Sequence, residues 1–176
     1  GNGAGMRVSA CGFFAQSQDE ALDLAKLSAE VSHNHPEGIK GAEATTVAIY
    51  MAKTGRSISE IKEHIHQHYY PMDFTLNSIR DSYTFDGSCQ GTVPEAIIAF
   101  LESENFEDAI RKAVSMGGDS DTLACITGGI AEAFYGEIPE GMVKVTQRVF
   151  PPIFLKILDA LKSRSSYGDI VPNRCE

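Results

Sequence analysis

Two carboxylates and a hydroxyl lie close together in residues 117–122, which read Gly-Gly-Asp-Ser-Asp-Thr. They belong to Asp119, Asp121 and Thr122. All three are hard oxygen donors of the kind that Mg²⁺ prefers, whereas thiolates and imidazoles suit softer ions. A helix N-terminus would also favour the ionised form of a carboxylate, which is the form that binds a cation. The spacing therefore allows a magnesium site on a turn that opens a helix.

The same spacing fits a second interpretation, a helix cap, and the spacing alone favours the cap over a metal site. Asp and Ser are preferred at the N-cap, where they need no metal. However, the helix predicted to follow is rich in small residues, namely Ala124, Gly128, Gly129, Ala131 and Ala133. Such residues lower the intrinsic stability of a helix and allow other backbones to approach it closely. We expect this helix to be surrounded by the rest of the protein, and that setting gives the metal interpretation more weight.

Three histidines at alternate positions, His64, His66 and His68, form another group that could bind a metal. On a helix, His64 and His68 share one face, whereas His66 points elsewhere. Ile61 and Ile65 are predicted to face the core from the same helix. The sequence therefore predicts a solvated polar face here and not a metal site.

Helix-start signals place three of the elements that must position these side chains. Residues 17–20, 57–60 and 92–95 each match the capping box, in which Ser or Thr is followed three positions later by Glu. Apolar residues recur at helical spacing after each box. We therefore predict a helix at each of the three boxes.

Apolar periodicity and glycine stops predict the remaining helices. We place them at residues 38–53 before Gly55, 106–114 before Gly117, 122–135 before Gly136, and 153–161. Residues 143–149 alternate like a strand but follow a Pro-Glu-Gly start, so a helix is predicted there too. No internal repeat, low-complexity tract or long linker is evident. The expected fold is all-α, with residues 1–176 forming one compact multi-helix domain.

Composition and charge argue against several classes of protein. The chain has 176 residues, a formal net charge of -9 and only 15 scattered Lys and Arg residues. Nucleic acid is therefore not an expected partner, because its binding depends on clustered basic residues. The four cysteines form no C-x-x-C pair, which argues against a zinc ribbon or a thioredoxin-like site. Without a membrane-spanning apolar run or a signal peptide, we expect a cytoplasmic protein with no membrane contact.

The segment 117–136 closely resembles the C-terminal signature of the ADP-ribosylglycohydrolases. Residues 1–7 resemble the glycine loop of this family, and residues 32–36 resemble its Thr-His-type turn, in the same order along the chain. The resemblance implies an all-α fold and a binuclear Mg²⁺ site. It also implies hydrolysis of the glycosidic bond between ADP-ribose and an acceptor, which is either a protein side chain or a small molecule.

The resemblance assigns roles to individual residues. The metal ligands contributed by this part of the family would be Asp119, Asp121 and Thr122. The loop that cradles the phosphates of ADP-ribose would be Gly1, Asn2 and Gly3, whose backbone N–H groups could neutralise an anion in an acidic protein. His33, in preference to His35, would contact the ligand. The segment near the adenosine side of the pocket would be Gly87, Ser88 and Cys89.

The resemblance also implies parts that residues 1–176 lack. The family's N-terminal portion should contribute a Gly-Asp-x-x-Gly-type helix and a Thr-Asp-Asp motif, yet no Asp-Asp pair occurs here. We therefore expect an N-terminally incomplete domain with half of the metal site, weak Mg²⁺ binding and no activity alone. It would be either a fragment of a longer enzyme or a natural short paralogue without activity.

An alternative function is that of a non-catalytic protein, which either binds ADP-ribose or is structural, like the eye-lens crystallins that resemble this family. An all-α histidine-metal phosphohydrolase would need a His-Asp dipeptide, which is absent. The sequence identifies neither the acceptor nor the general acid and base.

Overall fold

The computed structural model describes residues 1–164 of the protein. These residues form eleven α-helices and no β-strand, which confirms the predicted all-α fold. The helices are Gly3–Met6 (α1), Ser9–Phe14 (α2), Gln18–His33 (α3), Pro36–Lys53 (α4), Ile58–His68 (α5), Leu76–Ile79 (α6), Val93–Leu101 (α7), Phe106–Ser115 (α8), Ser120–Tyr135 (α9), Glu140–Val149 (α10) and Pro152–Arg164 (α11). The predicted single domain over residues 1–176 extends beyond this range and stays a prediction.

Helix α4 lies at the centre of the fold, where α1, α2, α3, α5, α7 and α9 contact it. Small residues on α4 and its neighbours make this close packing possible. An ideal Cβ added to Gly12 of α2 would lie 2.7 Å from the Cβ of Ile49 on α4. Any larger residue at position 12 would therefore push α2 away from the core.

Helix α9 is surrounded, as its small residues predict. It contacts α1, α2, α4, α7 and α8, and Leu123, Ile126 and Ile130 are fully buried along it. It ends at Gly136, whose φ of 72° lies in the left-handed region that glycine adopts without strain. The predicted stop is thereby confirmed. This packing fixes the start of α9 beside α1.

Two of the three predicted capping boxes act as helix caps. The Ser57 box is complete, since its hydroxyl and the Glu60 carboxylate each accept the other residue's backbone N–H. Ser17 accepts from the backbone N–H of Glu20, but the Glu20 carboxylate accepts from the N–H of Gln16. The hydrogen bond to the Ser17 hydroxyl is thus confirmed, whereas the Glu20 carboxylate accepts from the residue before the one that the capping box predicts.

The capping box predicted at Thr92 is wrong, although α7 does begin at the next residue. The Thr92 side chain makes no cap hydrogen bond. Its hydroxyl instead donates to the backbone oxygen of Asp86 at 2.8 Å and accepts from the side chain of Asn2 at 3.0 Å. A long-range interaction has therefore replaced the local one.

Helix α4 begins at Pro36, two residues before its predicted start. His35 is its N-cap, and the imidazole Nδ1 accepts from the backbone N–H of Glu37 at 3.2 Å. A proline at the first helical position is also favourable, because its missing N–H would be unpaired there in any case. A histidine cap is not among the common N-cap residues, which is why the start was placed too late.

Helices α10 and α11 confirm the helices predicted over residues 143–149 and 153–161. Several large apolar side chains on these helices are exposed: Val145, Val149, Ile153, Phe154, Ile157 and Leu158. Within residues 1–164, no helix is long and apolar enough to cross a membrane.

Candidate active site

Asp119 accepts a hydrogen bond from a side-chain amide that lies far away in the sequence. The Asn2 Nδ2 donates to Asp119 Oδ2 at 2.6 Å and to the buried Thr92 hydroxyl at 3.0 Å. The hydrogen bond from the Asn2 amide holds the pKa of Asp119 below its usual value, and contacts with the side chains of Asp121 and Thr122 add to the effect. The carboxylate is therefore ionised at neutral pH.

The turn before Asp119 depends on two consecutive glycines. Gly117 and Gly118 have φ values of 72° and 61°, which L-residues with side chains rarely adopt. An ideal Cβ on Gly118 would also lie 2.8 Å from a ring carbon of Tyr83. This glycine thus allows the loop around Tyr83 to close over the turn.

Asp121 and Thr122 complete the predicted group of oxygen donors. Asp121 is exposed, and its Oδ1 accepts from the backbone N–H of Thr122 at 2.9 Å. Thr122 is buried, and its hydroxyl donates to the Met6 Sδ at 3.6 Å. Its oxygen therefore keeps lone pairs that could face a cation.

The helix-cap interpretation of Asp119 is confirmed for the position of the residue but not for a side-chain cap hydrogen bond. Asp119 occupies the N-cap position of α9, but its side chain makes no cap hydrogen bond. Its carboxylate accepts from Asn2 instead. The residue thus has the position of a cap, while its 2.6 Å side-chain hydrogen bond comes from Asn2.

The glycine loop at residues 1–3 rests against the segment that precedes α7. The backbone N–H of Asn2 donates to the Gly87 oxygen at 2.8 Å, and the Cys89 thiol donates to the Gly1 oxygen at 3.4 Å. Burial raises the pKa of Cys89, which keeps the thiol protonated. Ser88 bonds within its own turn and accepts from the N–H of Gly91. One amide of the predicted phosphate cradle is thus already engaged by the protein.

His33 lies directly beside this loop. An ideal Cβ added to Gly3 would be 3.1 Å from the imidazole Nε2, and one added to Gly1 would be 3.4 Å from it. Partial burial holds the pKa of His33 below its usual value, and the positive charges of the amino terminus and Arg7 add to this effect. The structure brings His33 to the loop, whereas His35 caps α4.

The three histidines of α5 follow the predicted pattern. The rings of His64 and His68 lie with centroids 4.6 Å apart, whereas the Nδ1 of His66 accepts from the backbone N–H of Met72 at 3.0 Å. Across residues 1–164, no group of three or more His, Cys, Asp or Glu side chains is placed to hold a metal ion. The histidines therefore form no such group.

Sequence reasoning missed two residues of this site. Thr92 links Asn2 to the loop before α7, but it matches a capping box and gave no other signal. Met6 contacts the Thr122 hydroxyl through a thioether, which is an unusual partner for a proposed magnesium ligand. Both contacts join segments that are far apart in sequence, so no local pattern reveals them.

Comparison with known proteins gives a consistent result. A sequence model of the family described as ADP-ribosylglycohydrolase matches residues 1–167. ADP-ribosylhydrolase ARH3 of Bos taurus is 26% identical over 80% of this chain and 52% of its own. The ADP-ribosyl-[dinitrogen reductase] glycohydrolase of Rhodospirillum rubrum is 27% identical over 80% of this chain and 49% of its own.

A solved structure supports the same relationship. The structure of an "ADP-ribosylglycohydrolase-related protein complex" matches with a TM-score of 0.65 and 26% sequence identity. The match covers 80% of this chain and 52% of that chain. The present chain thus spans about half the length of the relatives that it matches.

Proposed function

Because this chain belongs to the ADP-ribosylglycohydrolase family, we propose that it forms part of an enzyme that hydrolyses the glycosidic bond between ADP-ribose and an acceptor. The rest of the enzyme would lie outside residues 1–176, since the relatives are about twice as long as the matched region. ADP-ribosylated protein, or an ADP-ribosylated small molecule, would be the substrate. A cytoplasmic location belongs to the same proposal.

The observation that carries this proposal is the hydrogen bond from Asn2 to Asp119. It joins the glycine loop to the acidic turn at 2.6 Å and holds a carboxylate in its ionised form. His33 lies beside the same loop. An acidic turn, a glycine loop and a histidine thus meet in one region, which supports a site for an anionic nucleotide with a bound cation.

We further propose that Asp119, Asp121 and Thr122 hold Mg²⁺. Their oxygens fit this ion, because one carboxylate is ionised, the other is exposed, and the threonine side chain lies against both the Asp119 carboxylate and the Met6 sulfur. The remaining ligands would come from beyond these residues. When bound, the metal would supply electrostatic stabilisation and orient a water for attack at the anomeric carbon.

Gly1, Asn2, Gly3 and His33 would bind the ADP-ribose. In this proposal Asn2 serves both parts of the site, since its side chain positions Asp119 while its backbone fixes the loop to Gly87. His33 would donate to an oxygen of the ligand. Gly87 and Cys89 would support the loop through their contacts with Asn2 and Gly1.

The experiment is an ADP-ribose release assay on the full-length gene product that contains this sequence. ADP-ribosylated protein is the substrate, and Mg²⁺ is present or removed with a chelator. We expect Mg²⁺-dependent release, and a loss of at least about 100-fold in the double variant D119A/D121A. The matched control D23A/D159A removes two exposed carboxylates elsewhere and should retain activity.

Full activity in D119A/D121A would overturn the proposal. Binding of ADP-ribose without any release would favour the non-catalytic alternative, and calorimetry with ADP-ribose measures this directly. Comparing ADP-ribosylated arginine, serine and small-molecule substrates would identify the acceptor.

A further inference from the structure

His33 is joined to an arginine through a serine hydroxyl. The Arg7 Nη1 lies 2.7 Å from the Ser32 Oγ, and the same Oγ lies 2.8 Å from the His33 Nδ1. Arg7 comes from the chain just after α1, whereas Ser32 and His33 end α3. The three side chains therefore form a short chain of hydrogen bonds that leads away from the glycine loop.

The guanidinium is fixed in place by one turn of α3. Besides Ser32, it donates to the backbone oxygen of Ser28 and contacts the Ser28 hydroxyl at 3.3 Å. A cation is favoured at this position because the carboxyl end of a helix carries partial negative charge. Arg7 is thus held on the last turn of α3.

The direction of the two bonds follows from the chemistry of the groups. A guanidinium has only donors, so the Ser32 oxygen must accept from Arg7. The single hydroxyl proton then remains free to be donated to the His33 Nδ1. If Nδ1 carried a proton instead, the Ser32 oxygen would accept two hydrogen bonds through its two lone pairs, and no described residue would accept its own proton. The arrangement that pairs this hydroxyl proton within the chain is therefore the one in which Nδ1 is the acceptor.

A neutral imidazole carries one proton, so an accepting Nδ1 leaves that proton on Nε2. Nε2 is the ring nitrogen that faces the loop, 3.1 Å from an ideal Cβ on Gly3. The absence of side chains at Gly1 and Gly3 leaves this N–H uncovered. It is consequently directed at the space beside the loop.

We propose that Arg7 and Ser32 are positioning residues, which fix His33 as the tautomer with its proton on Nε2 and so present a hydrogen-bond donor to the glycine loop. The tautomer is a property of the free chain and requires neither ligand nor metal. That the donor serves an oxygen of ADP-ribose rests on the proposed function.

The test is a long-range ¹H–¹⁵N correlation spectrum of the imidazoles in the uniformly ¹⁵N-labelled chain, at a pH where His33 is neutral. In the wild type we expect a pyridine-type shift for Nδ1 and a pyrrole-type shift for Nε2 of His33. S32A removes the donor to Nδ1, so both nitrogens should move toward each other as the tautomers exchange. S32T retains a hydroxyl and should restore the wild-type pattern.

The chain offers internal controls. The Nδ1 atoms of His35 and His66 accept from backbone N–H groups, so their shifts should not respond to S32A. S28A removes only the hydroxyl contact of Arg7 and should leave His33 unchanged, whereas R7M should shift it. A pyrrole-type Nδ1 in the wild type, or a His33 pattern that S32A does not change, would overturn the proposal. Both results are independent of hydrolase activity.

Discussion

At the scale of single residues, the central feature is the pairing of Asn2 with Asp119. The Asn2 side chain donates to both Asp119 and Thr92, and the Asn2 backbone N–H donates to the Gly87 oxygen. Hence one residue both lowers the pKa of Asp119 and holds the glycine loop in position. Its replacement should affect both parts of the site together.

We predict that N2A destabilises the protein in a pH-dependent way. Its amide lowers the pKa of Asp119 in the folded state, so the stabilisation is fully present above the unfolded-state pKa of a carboxyl group. It is lost as pH falls through the lower folded-state pKa. The cost of N2A should therefore be larger at neutral pH than in acid, as measured by urea unfolding over a pH series.

The control for this prediction is N105A. The Asn105 side chain caps α8 by accepting from the backbone N–H of Asp108, which is a neutral donor. Its loss should cost about 1 kcal/mol at every pH. An N2A cost that is equally flat would contradict the assigned role of the amide.

The sequence identifies the candidate metal ligands of the acidic turn but not their hydrogen-bond partners. Asp119, Asp121 and Thr122 can be selected because hard oxygen donors at short spacing are a local pattern. The hydrogen-bond partner of Asp119 cannot be identified in this way, because Asn2 lies 117 positions away in the sequence. An asparagine in a glycine loop could also make many other contacts. Thr92 was misassigned for the same reason, since a capping box is also a local pattern.

At the scale of elements, the turn from α8 to α9 determines where the acidic side chains lie. Its two glycines have similar positive φ values but different surroundings. A Cβ on Gly117 would meet nothing within 4 Å, whereas one on Gly118 would lie 2.8 Å from the Tyr83 ring. A side chain at position 117 would therefore cause backbone strain alone, whereas one at position 118 would cause both strain and steric overlap.

We predict that G117A costs about 1–2 kcal/mol of stability, the strain of a side chain in the left-handed region. G118A should cost a further 1–3 kcal/mol or so, because it also overpacks against Tyr83. Urea unfolding of the two variants measures this difference. Equal costs would mean that the loop around Tyr83 moves freely away from the turn.

Helix boundaries could be predicted where the signals are strong. Ser57 with Glu60, and glycine at position 136, are such signals, and α5 and α9 begin and end accordingly. The short helices α1, α2 and α6 were not predicted, since four to six residues are too few for apolar periodicity to show. They depend on packing against α4, α7 and α9.

At the scale of the whole molecule, the buried apolar core contrasts with the exposed apolar side chains of α10 and α11. Phe100 is completely buried, with its ring centroid 5.3 Å from that of Phe134. Phe154 on α11 is 51% exposed and meets the Phe150 ring at its edge. The same residue type thus has two very different environments.

We predict that F100A lowers the free energy of unfolding by about 3–5 kcal/mol, because it leaves a cavity in the core. F154A should cost about 1 kcal/mol or less, since its ring is half in water and loses one aromatic contact. Thermal or urea unfolding of the two variants gives the comparison. A large cost for F154A would show that α11 packs against the core more tightly than its exposure indicates.

The fold class could be predicted because helices are encoded locally, by caps and apolar periodicity. Their arrangement could not, because it depends on contacts such as Gly12 with Ile49, where the absence of a side chain determines how closely two helices approach. The family resemblance supplied what the local patterns lacked. It grouped residues 1–3, His33 and the acidic turn before their positions were known.

The Asn2–Asp119 bond closes a loop of 117 residues, and this has a consequence for folding. Bringing such distant segments together costs chain entropy, so contacts of this range are expected to form after the local helices. An intermediate with most of its helices formed would still lack the paired carboxylate. Circular dichroism alone would therefore be a poor measure of whether this site is intact.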